Sequence, residues 1–185
     1  MRLLNFCATC LFAALLFLVA CERPQQGTEK PQDMSPTDPH SYAQPALSVV
    51  RHLSWEAEVD FDLEQIRATA TLLLENSPEA RELILDTRQL EIKAVMLADG
   101  TAAKWRLGEE EPFKGRPLHI AISPEDKEVR VQYHTVPEAE AVQWLSAAQT
   151  ADKRHPFLFT QSQAILARTW VPIQDSPGIR FTYDA

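Results

Sequence analysis

Residues 53–74, LSWEAEVDFDLEQIRATATLLL, decide the fold because apolar and polar residues alternate there in two consecutive runs. The first run carries five apolar side chains at every second position: Leu53, Trp55, Ala57, Val59 and Phe61. After a short polar turn, residues 66–74 repeat the alternation. A period of two is typical of a strand with one buried face. The stretch therefore predicts a β-hairpin.

Shorter runs of strand-forming residues follow along the chain, at residues 82–86, 90–97, 103–107, 118–122, 129–135 and 179–183. Turn residues such as Asp99 and Gly100 separate them, and no long segment has the period of a helix. We expect an all-β domain over residues 46–185, built as an antiparallel sandwich or a saddle-shaped sheet.

Composition excludes several classes of function. Of the 185 residues, 45% are hydrophobic and 24% are charged, which is the balance of a globular protein rather than a disordered one. The formal net charge is -8, whereas nucleic-acid binding needs a positive face. Neither G-x-x-x-x-G-K-[ST] nor G-x-G-x-x-G occurs. We expect no nucleic-acid partner and no nucleotide-binding loop.

The N-terminus has the features of an export signal. Residues 3–20 carry no charge, follow Arg2, and are rich in Leu, Phe and Ala. This length suits a secretory signal peptide, and it could also just span a bilayer as an uncleaved signal anchor. The sequence LVAC at residues 18–21 resembles the lipobox of bacterial lipoproteins, in which the leader is removed and the cysteine is acylated. This resemblance implies a signal peptide over residues 1–20 and membrane lipid attached to Cys21.

Residues 21–45 predict a flexible, disordered tether between the lipid and the domain. They are rich in Pro, Gln, Ser, Thr and Asp and have too few apolar side chains to bury a core. In lipoproteins of Gram-negative bacteria, an aspartate directly after the acylated cysteine often signals retention in the inner membrane. Here that residue is Glu22. The resemblance therefore favours the outer membrane, with the domain facing the periplasm.

The residues themselves offer no complete active site. The five histidines never form H-E-x-x-H, and no cysteine lies beyond Cys21, so no zinc site is expected in the domain. The nucleophile motif G-x-S-x-G is absent as well. Taken alone, this chain is expected to bind no cofactor and to hydrolyse nothing.

A family resemblance begins in the irregular region between Pro137 and Pro177. Residues 155–165, HPFLFTQSQAI, resemble the N-terminal domain of leukotriene A4 hydrolase and its bacterial aminopeptidase relatives. Residues 167–177, ARTWVPIQDSP, fit the pattern A-R-x-x-x-P-x-x-D-x-P of zinc aminopeptidases related to aminopeptidase N. Residues 85–90, 114–118 and 141–150 match in the same order. The likeness covers residues 40–183.

This resemblance implies a saddle-like β domain that precedes a thermolysin-like catalytic domain. The family's catalytic motifs, G-x-M-E-N and H-E-x-x-H, do not occur in the 185 residues. Zinc is therefore expected in a catalytic domain absent from this chain, and the chain is expected to be a C-terminally truncated N-terminal piece.

Two groups of site residues follow from the resemblance. A glutamine segment of the family reaches into the catalytic cleft and contacts the bound peptide; its matching residues are Gln161, Ser162, Gln163 and Ala164. A neutral amide can donate and accept hydrogen bonds without adding charge, although both glutamines could instead satisfy loop backbone groups. The signature residues Arg168, Pro172 and Asp175 are expected to be structural, with an Arg168–Asp175 ion pair.

Three interpretations remain open at this point. The chain could be the N-terminal part of a lipid-anchored zinc aminopeptidase that contributes a glutamine loop to peptide binding. It could instead be a stand-alone, non-catalytic β module that binds a peptide or a protein partner. The third possibility is a truncation product without function.

Overall fold

The computed structural model describes residues 38–185, and the secondary structure in this range is almost entirely β, as predicted. Cys21, the expected signal peptide and residues 21–37 of the expected tether lie outside it. The strands of the described range are β1 (Ser48–Asp60), β2 (Gln65–Asn76), β3 (Glu82–Thr87), β4 (Leu90–Leu97), β5 (Trp105–Leu107), β6 (Arg116–Ala121), β7 (Glu128–Thr135), β8 (Val142–Leu145), β9 (Phe157–Thr160) and β10 (Thr182–Asp184). Two short 3-10 helices span Ala147–Gln149 and Ala167–Thr169.

The strands are arranged in three sheets. The largest has the order β10-β1-β2-β7-β4, the second has the order β3-β6-β5, and β8 pairs with β9 in a two-stranded ribbon. All neighbours are antiparallel except β1 and β10, which are parallel. The predicted hairpin is confirmed: β1 and β2 pair from Ser48 opposite Asn76 to Asp60 opposite Gln65, with a bulge between Val50 and His52.

One apolar cluster joins the five-stranded and three-stranded sheets. In β2, alternate residues are buried: Ile66, Ala68, Ala70, Leu72 and Leu74. The same cluster takes Leu83 and Leu85 from β3 and Leu118 and Ile120 from β6. Burial of these aliphatic side chains is the main stabilising contribution to a domain of this kind.

Burial in β1 fades towards the hairpin turn. Leu53 is buried, whereas Val59 and Phe61 are 37% and 39% exposed, although all three belong to the same alternating run. The turn end of the hairpin extends past the main core, where Phe61 packs edge-to-face against Trp144 with 5.6 Å between ring centroids. The alternation therefore located the strand but overstated how much of it is covered.

Both ends of the described range pack against the domain in ways that the sequence pattern did not indicate. Ser41 and Ala43 are buried, although they fall in the polar stretch read as tether. Near the other end, Ile179 is buried with Ala43 and Val49, and backbone pairing with β1 begins only at Thr182. No helix within residues 38–185 is long and apolar enough to cross a membrane.

Candidate functional site

The glutamine loop, residues 161–164, follows β9 and leads towards the 3-10 helix Ala167–Thr169. Gln161, Gln163 and Ala164 are exposed, and Ser162 is half-buried. The peptide bond between Gln163 and Ala164 is cis. The first residue of the loop is bonded to the residue before β8, because the Gln161 N–H donates to the carbonyl oxygen of Ala141 at 2.8 Å.

The two glutamine side chains are in different situations. Gln161 Oε1 accepts a hydrogen bond from the Gln163 backbone N–H at 3.1 Å, so this amide oxygen is used within the loop. The Gln163 side-chain amide has no hydrogen-bond partner among residues 38–185. Its donor and acceptor are therefore both available to a ligand.

Ser162 turns its hydroxyl inward. Its Oγ accepts a hydrogen bond from Trp170 Nε1 at 2.9 Å, and its carbonyl oxygen accepts one from the Leu166 N–H at 2.9 Å. The sequence-based prediction grouped Ser162 with Gln161, Gln163 and Ala164 as a peptide-binding residue. In the structure its hydroxyl is already engaged by Trp170.

We define the arginine cluster as Arg168, Asp86 and Asp175. Arg168 follows the loop by four residues, and Asp86 lies on strand β3. Arg168 and Asp86 are 0% exposed. Arg168 Nε lies 3.1 Å from Asp175 Oδ2, so the expected ion pair is present. The guanidinium also donates to three carbonyl oxygens, those of His40 and Lys114 at 2.8 Å and that of Asp175 at 2.9 Å.

Asp86 joins the N-terminal segment to this cluster. Its Oδ2 accepts hydrogen bonds from the Ser41 hydroxyl at 2.6 Å and the Asp175 N–H at 2.8 Å, and its Oδ1 accepts one from the Tyr42 N–H at 2.7 Å. Arg168 Nη2 lies 3.7 Å from Asp86 Oδ2. Four segments that are distant in sequence therefore meet at one guanidinium and two carboxyl groups.

The charges in the cluster do not cancel. Burial raises the pKa of the Asp175 carboxyl above its ordinary value, and the nearby Asp86 adds to this effect. Hydrogen bonds from Arg168 and its positive charge act in the opposite direction. Removal of the guanidinium would leave two carboxyl groups in a desolvated site without a counter-charge.

The other signature residue, Pro172, is buried between Val171 and Ile173. Next to them, the side chain of Gln174 is 1% exposed, and sequence reasoning missed its role. Gln174 Oε1 accepts a hydrogen bond from the Val50 N–H at 2.9 Å, and its Nε2 donates to the Ser48 carbonyl at 2.9 Å. The only available signal was the position of Gln174 inside the signature, since glutamine is usually exposed.

The described residues show no zinc site. No group of three His, Cys, Asp or Glu side chains within residues 38–185 is placed to hold a metal ion. The described part of the chain thus presents an exposed amide loop and a buried polar cluster, and neither has the donor set that a catalytic zinc requires.

Comparison with known proteins decides the family. A family model described as the peptidase M1 N-terminal domain matches residues 39–185. The chain belongs to this family. The matched region includes the strands, the glutamine loop and the arginine cluster. It begins at residue 39, within the segment that packs against Asp86.

Several relatives of this M1 N-terminal domain are hydrolases or peptidases. It is 39% identical over 152 residues to "Leukotriene A-4 hydrolase" of Xenopus laevis. The aligned region covers 79% of this chain and 25% of that protein. It is 32% identical over 157 residues to "Leucine aminopeptidase 2" of Pyricularia oryzae, with 81% and 25% covered. The chain therefore spans about a quarter of the length of these curated relatives.

Solved structures agree on the fold of the M1 N-terminal domain. Yeast LTA4 hydrolase in complex with bestatin superposes with a TM-score of 0.74 at 26% identity, over 83% of this chain and 25% of that one. An M1 zinc metallopeptidase from Deinococcus radiodurans superposes with a TM-score of 0.54 at 13% identity, over 76% and 32%. At that identity the second likeness concerns the fold alone.

Proposed function

We propose that this chain supplies the N-terminal β domain of a zinc aminopeptidase related to LTA4 hydrolase, and that its glutamine loop contacts the bound peptide. The observation that carries the proposal is the Gln163 side chain, an exposed amide without a partner among residues 38–185. It stands in a loop whose backbone is hydrogen-bonded at Gln161 and at Ser162.

An amide suits this task chemically. It can accept a hydrogen bond from a peptide N–H or a terminal amine and donate one to a peptide carbonyl, and it adds no charge to the site. Because the loop backbone is already held, little conformational freedom remains to be lost when a peptide binds. Gln161, whose oxygen is occupied by the Gln163 N–H, keeps its amide N–H groups for the same ligand.

The hydrolytic chemistry is proposed to lie outside these residues. Residues 38–185 contain no donor set that fits zinc, so no step of peptide cleavage is assigned to them. Their contribution is to bind and orient the peptide. The relatives are named as a hydrolase and an aminopeptidase, and this chain matches only 25% of each, which supports this division of roles.

Lipid attachment at Cys21 is part of the proposal and has its own test. The lipobox-like sequence at residues 18–21 and the polar stretch after it support a mature chain that begins at Cys21, attached to the outer membrane and facing the periplasm. Mass spectrometry of the wild-type protein should find an acylated Cys21. The Cys21→Ser variant should accumulate as unlipidated precursor. A free Cys21 thiol on the wild-type protein would contradict the proposal.

The enzymatic proposal is tested by the DNA that follows codon 185 and by one side chain. G-x-M-E-N and H-E-x-x-H should be encoded downstream, in this frame or in a shifted one. In the longest product, Gln163→Ala should lower kcat/KM for aminoacyl reporter substrates by roughly ten- to a hundredfold, the effect of losing one or two oriented hydrogen bonds. Gln132→Ala is the matched control, since Gln132 is an exposed glutamine on strand β7.

Two results would count against it. If no peptidase motifs are encoded nearby, the zinc aminopeptidase proposal is wrong, and a non-catalytic module that binds peptides or a protein is the remaining interpretation. If Gln163→Ala leaves kcat/KM unchanged but lowers stability strongly, the glutamine serves the loop and not the peptide. Chelator-sensitive cleavage by the purified 185-residue chain itself would contradict the assignment of the chemistry to another domain.

A further inference from the structure

A series of three hydrogen bonds, which passes through Trp55, Tyr133 and Trp170, connects the five-stranded sheet to the glutamine loop. Trp55 Nε1, on strand β1, donates to the Tyr133 hydroxyl on β7 at 2.7 Å. The Tyr133 hydroxyl donates to the Trp170 carbonyl oxygen at 2.9 Å. Trp170 Nε1 then donates to Ser162 Oγ at 2.9 Å. Each donor in this series has one acceptor, and the series ends in the middle of the loop.

Burial and ring packing hold the part of this hydrogen-bond series that lies in the sheet. Tyr133 is 2% exposed, and burial raises the pKa of its hydroxyl far above the ordinary value, so the hydroxyl stays protonated and keeps its donor role towards Trp170. The Trp170 ring also packs edge-to-face on Trp55, with 5.2 Å between centroids and 89° between planes. The carbonyl and the ring of Trp170 are thus both fixed by residues of the sheet.

At the loop end, one serine hydroxyl receives this support. Ser162 lies between Gln161 and Gln163, the two exposed glutamines. With its Oγ bonded to Trp170 and its carbonyl oxygen bonded to the Leu166 N–H, Ser162 is held on two sides. The orientation of the Gln163 side chain depends on the position of Ser162, because the two residues are adjacent in the backbone.

We propose that Trp170 and Ser162 are positioning residues that fix the orientation of the Gln163 amide. The Ser162 hydroxyl and the Trp170 indole N–H bind each other and do not contact the peptide. This inference rests on the proposed function of the glutamine loop. The hydrogen bond between them is the last one in the series, so its loss should loosen the loop without disturbing the sheet. It also assigns Ser162 a different role from its neighbours in the loop.

Two variants remove the hydrogen bond from opposite sides. Trp170→Phe keeps a ring to pack on Trp55 but removes the indole donor, and Ser162→Ala removes the acceptor. Ser162→Thr should preserve function, because threonine retains a hydroxyl. Trp105→Phe, at a partly exposed tryptophan of β5, is the matched control for loss of an indole. Should Trp170→Phe fail to fold, Ser162→Ala still tests the same contact.

Backbone NMR relaxation of the full chain measures positioning without any enzymatic activity. In both variants, order parameters of residues 161–164 should fall from the rigid range near 0.85 towards 0.6 or below, while β1, β2 and β7 keep wild-type values. The double variant should loosen the loop no further than either single variant, since both remove the same bond. Unchanged order parameters in both variants would overturn the proposal, as would additive effects in the double variant.

Peptide kinetics of the longest product separate this inference from the proposed function. Trp170→Phe and Ser162→Ala should each raise KM for a peptide substrate about three- to tenfold with kcat changed less than twofold, as expected when a group that binds ground state and transition state alike is misplaced. Ser162→Thr should restore KM. If the loop loosens in the NMR measurement but KM does not change, the positioning role stands and the peptide contact proposed for the loop is wrong.

Discussion

Arg168 and Gln163 lie five residues apart, but their side chains differ in burial and in hydrogen bonding. The Arg168 guanidinium is 0% exposed and bonds to a carboxylate and three carbonyl oxygens. The Gln163 amide is exposed and has no partner among residues 38–185. Gln163 lies in the loop and Arg168 lies in the 3-10 helix that follows it, so this difference appears within a segment of six residues.

The difference separates two tasks within that segment. A buried, fully bonded side chain contributes to stability, because its removal leaves polar partners desolvated and unsatisfied. An exposed side chain without partners contributes little to stability and remains free to bind. Substitutions should therefore divide along this line: those in the arginine cluster act on folding, and those at the tip of the glutamine loop act on ligand binding.

Arg168→Ala should have the largest effect on stability. It leaves Asp86 and Asp175 buried without their counter-charge, a situation that costs about 3–5 kcal/mol and thus a large share of the stability of an ordinary domain. Urea unfolding followed by tryptophan fluorescence would measure the loss. Arg180→Ala, at an exposed arginine, is the control and should change the free energy of unfolding by less than about 0.5 kcal/mol. A loss below about 1 kcal/mol for Arg168→Ala would remove the contrast between the two regions.

Gln174→Ala should have the next largest effect. It leaves the Val50 N–H and the Ser48 carbonyl without a hydrogen-bond partner at the bulged end of β1, which costs about 1–3 kcal/mol. Thermal unfolding would measure the change, and amide hydrogen exchange should locate the weakening at β1. Wild-type protection of Val50 in the variant would show that the backbone finds other partners.

A smaller effect, dependent on pH, is expected at Asp38. Burial by itself raises the pKa of this carboxyl, but hydrogen bonds from the Ser176 hydroxyl and from His40 outweigh it and hold the pKa below the ordinary value. The unfolded chain then binds the proton more readily than the folded one. The stabilisation is complete above the unfolded pKa of about 3.9 and is lost as the pH falls through the lower, folded pKa.

Asp38→Asn tests this sign. The variant should be less stable than wild type by about 0.5–1.5 kcal/mol at pH 6, the worth of one hydrogen bond, and the difference should shrink as the pH is lowered below 4. Asp175 titrates in both proteins, so its opposite contribution cancels in the comparison. A difference that stays constant between pH 6 and pH 2.5 would exclude a role for the Asp38 charge.

Gln163→Ala should have the smallest effect on stability. Its side chain is exposed and makes no hydrogen bond within residues 38–185, so the free energy of unfolding should change by less than about 0.5 kcal/mol. Paired with a loss of peptide turnover, this result would sharpen the separation of tasks. A destabilisation above 1 kcal/mol would place Gln163 with the arginine cluster.

Local pattern predicted most of the strands but missed β8 and β9, which lie in the region expected to be irregular. The alternation in residues 53–74 specifies two strands and the turn between them, because side chains two positions apart share a face. The all-β class, the hairpin and most strand positions follow from this rule. The same rule overstated the burial of Val59 and Phe61, since it identifies the apolar face of a strand but not whether anything covers that face.

Contacts between distant residues could not be predicted this way. Ser41 is 45 positions from Asp86, and β10 pairs with β1 about 130 residues earlier in the chain. Both contacts are made by polar groups or by short exposed strands, which carry no hydrophobic period. In the candidate site, family resemblance located the glutamines and the Arg168–Asp175 pair. The role of Asp86, the inward direction of Ser162 and the bonds of Gln174 became visible only in the structure.

If Cys21 carries a lipid, the hydrogen bonds of residues 38–42 would limit how far the domain can lie from the membrane. The Asp38 carboxyl accepts a hydrogen bond from Ser176, and the His40 carbonyl accepts one from Arg168. Ser41 and Tyr42 both donate hydrogen bonds to Asp86. A lipid on Cys21 would then be linked to the domain by residues 22–37, whose backbone can extend to about 55 Å at most. A force transmitted through residues 22–37 would act on the hydrogen bonds of Asp38 and of the arginine cluster before it acted on strand β1. Arg168, Asp86 and Ser176 would thus also carry the mechanical load of such an anchor.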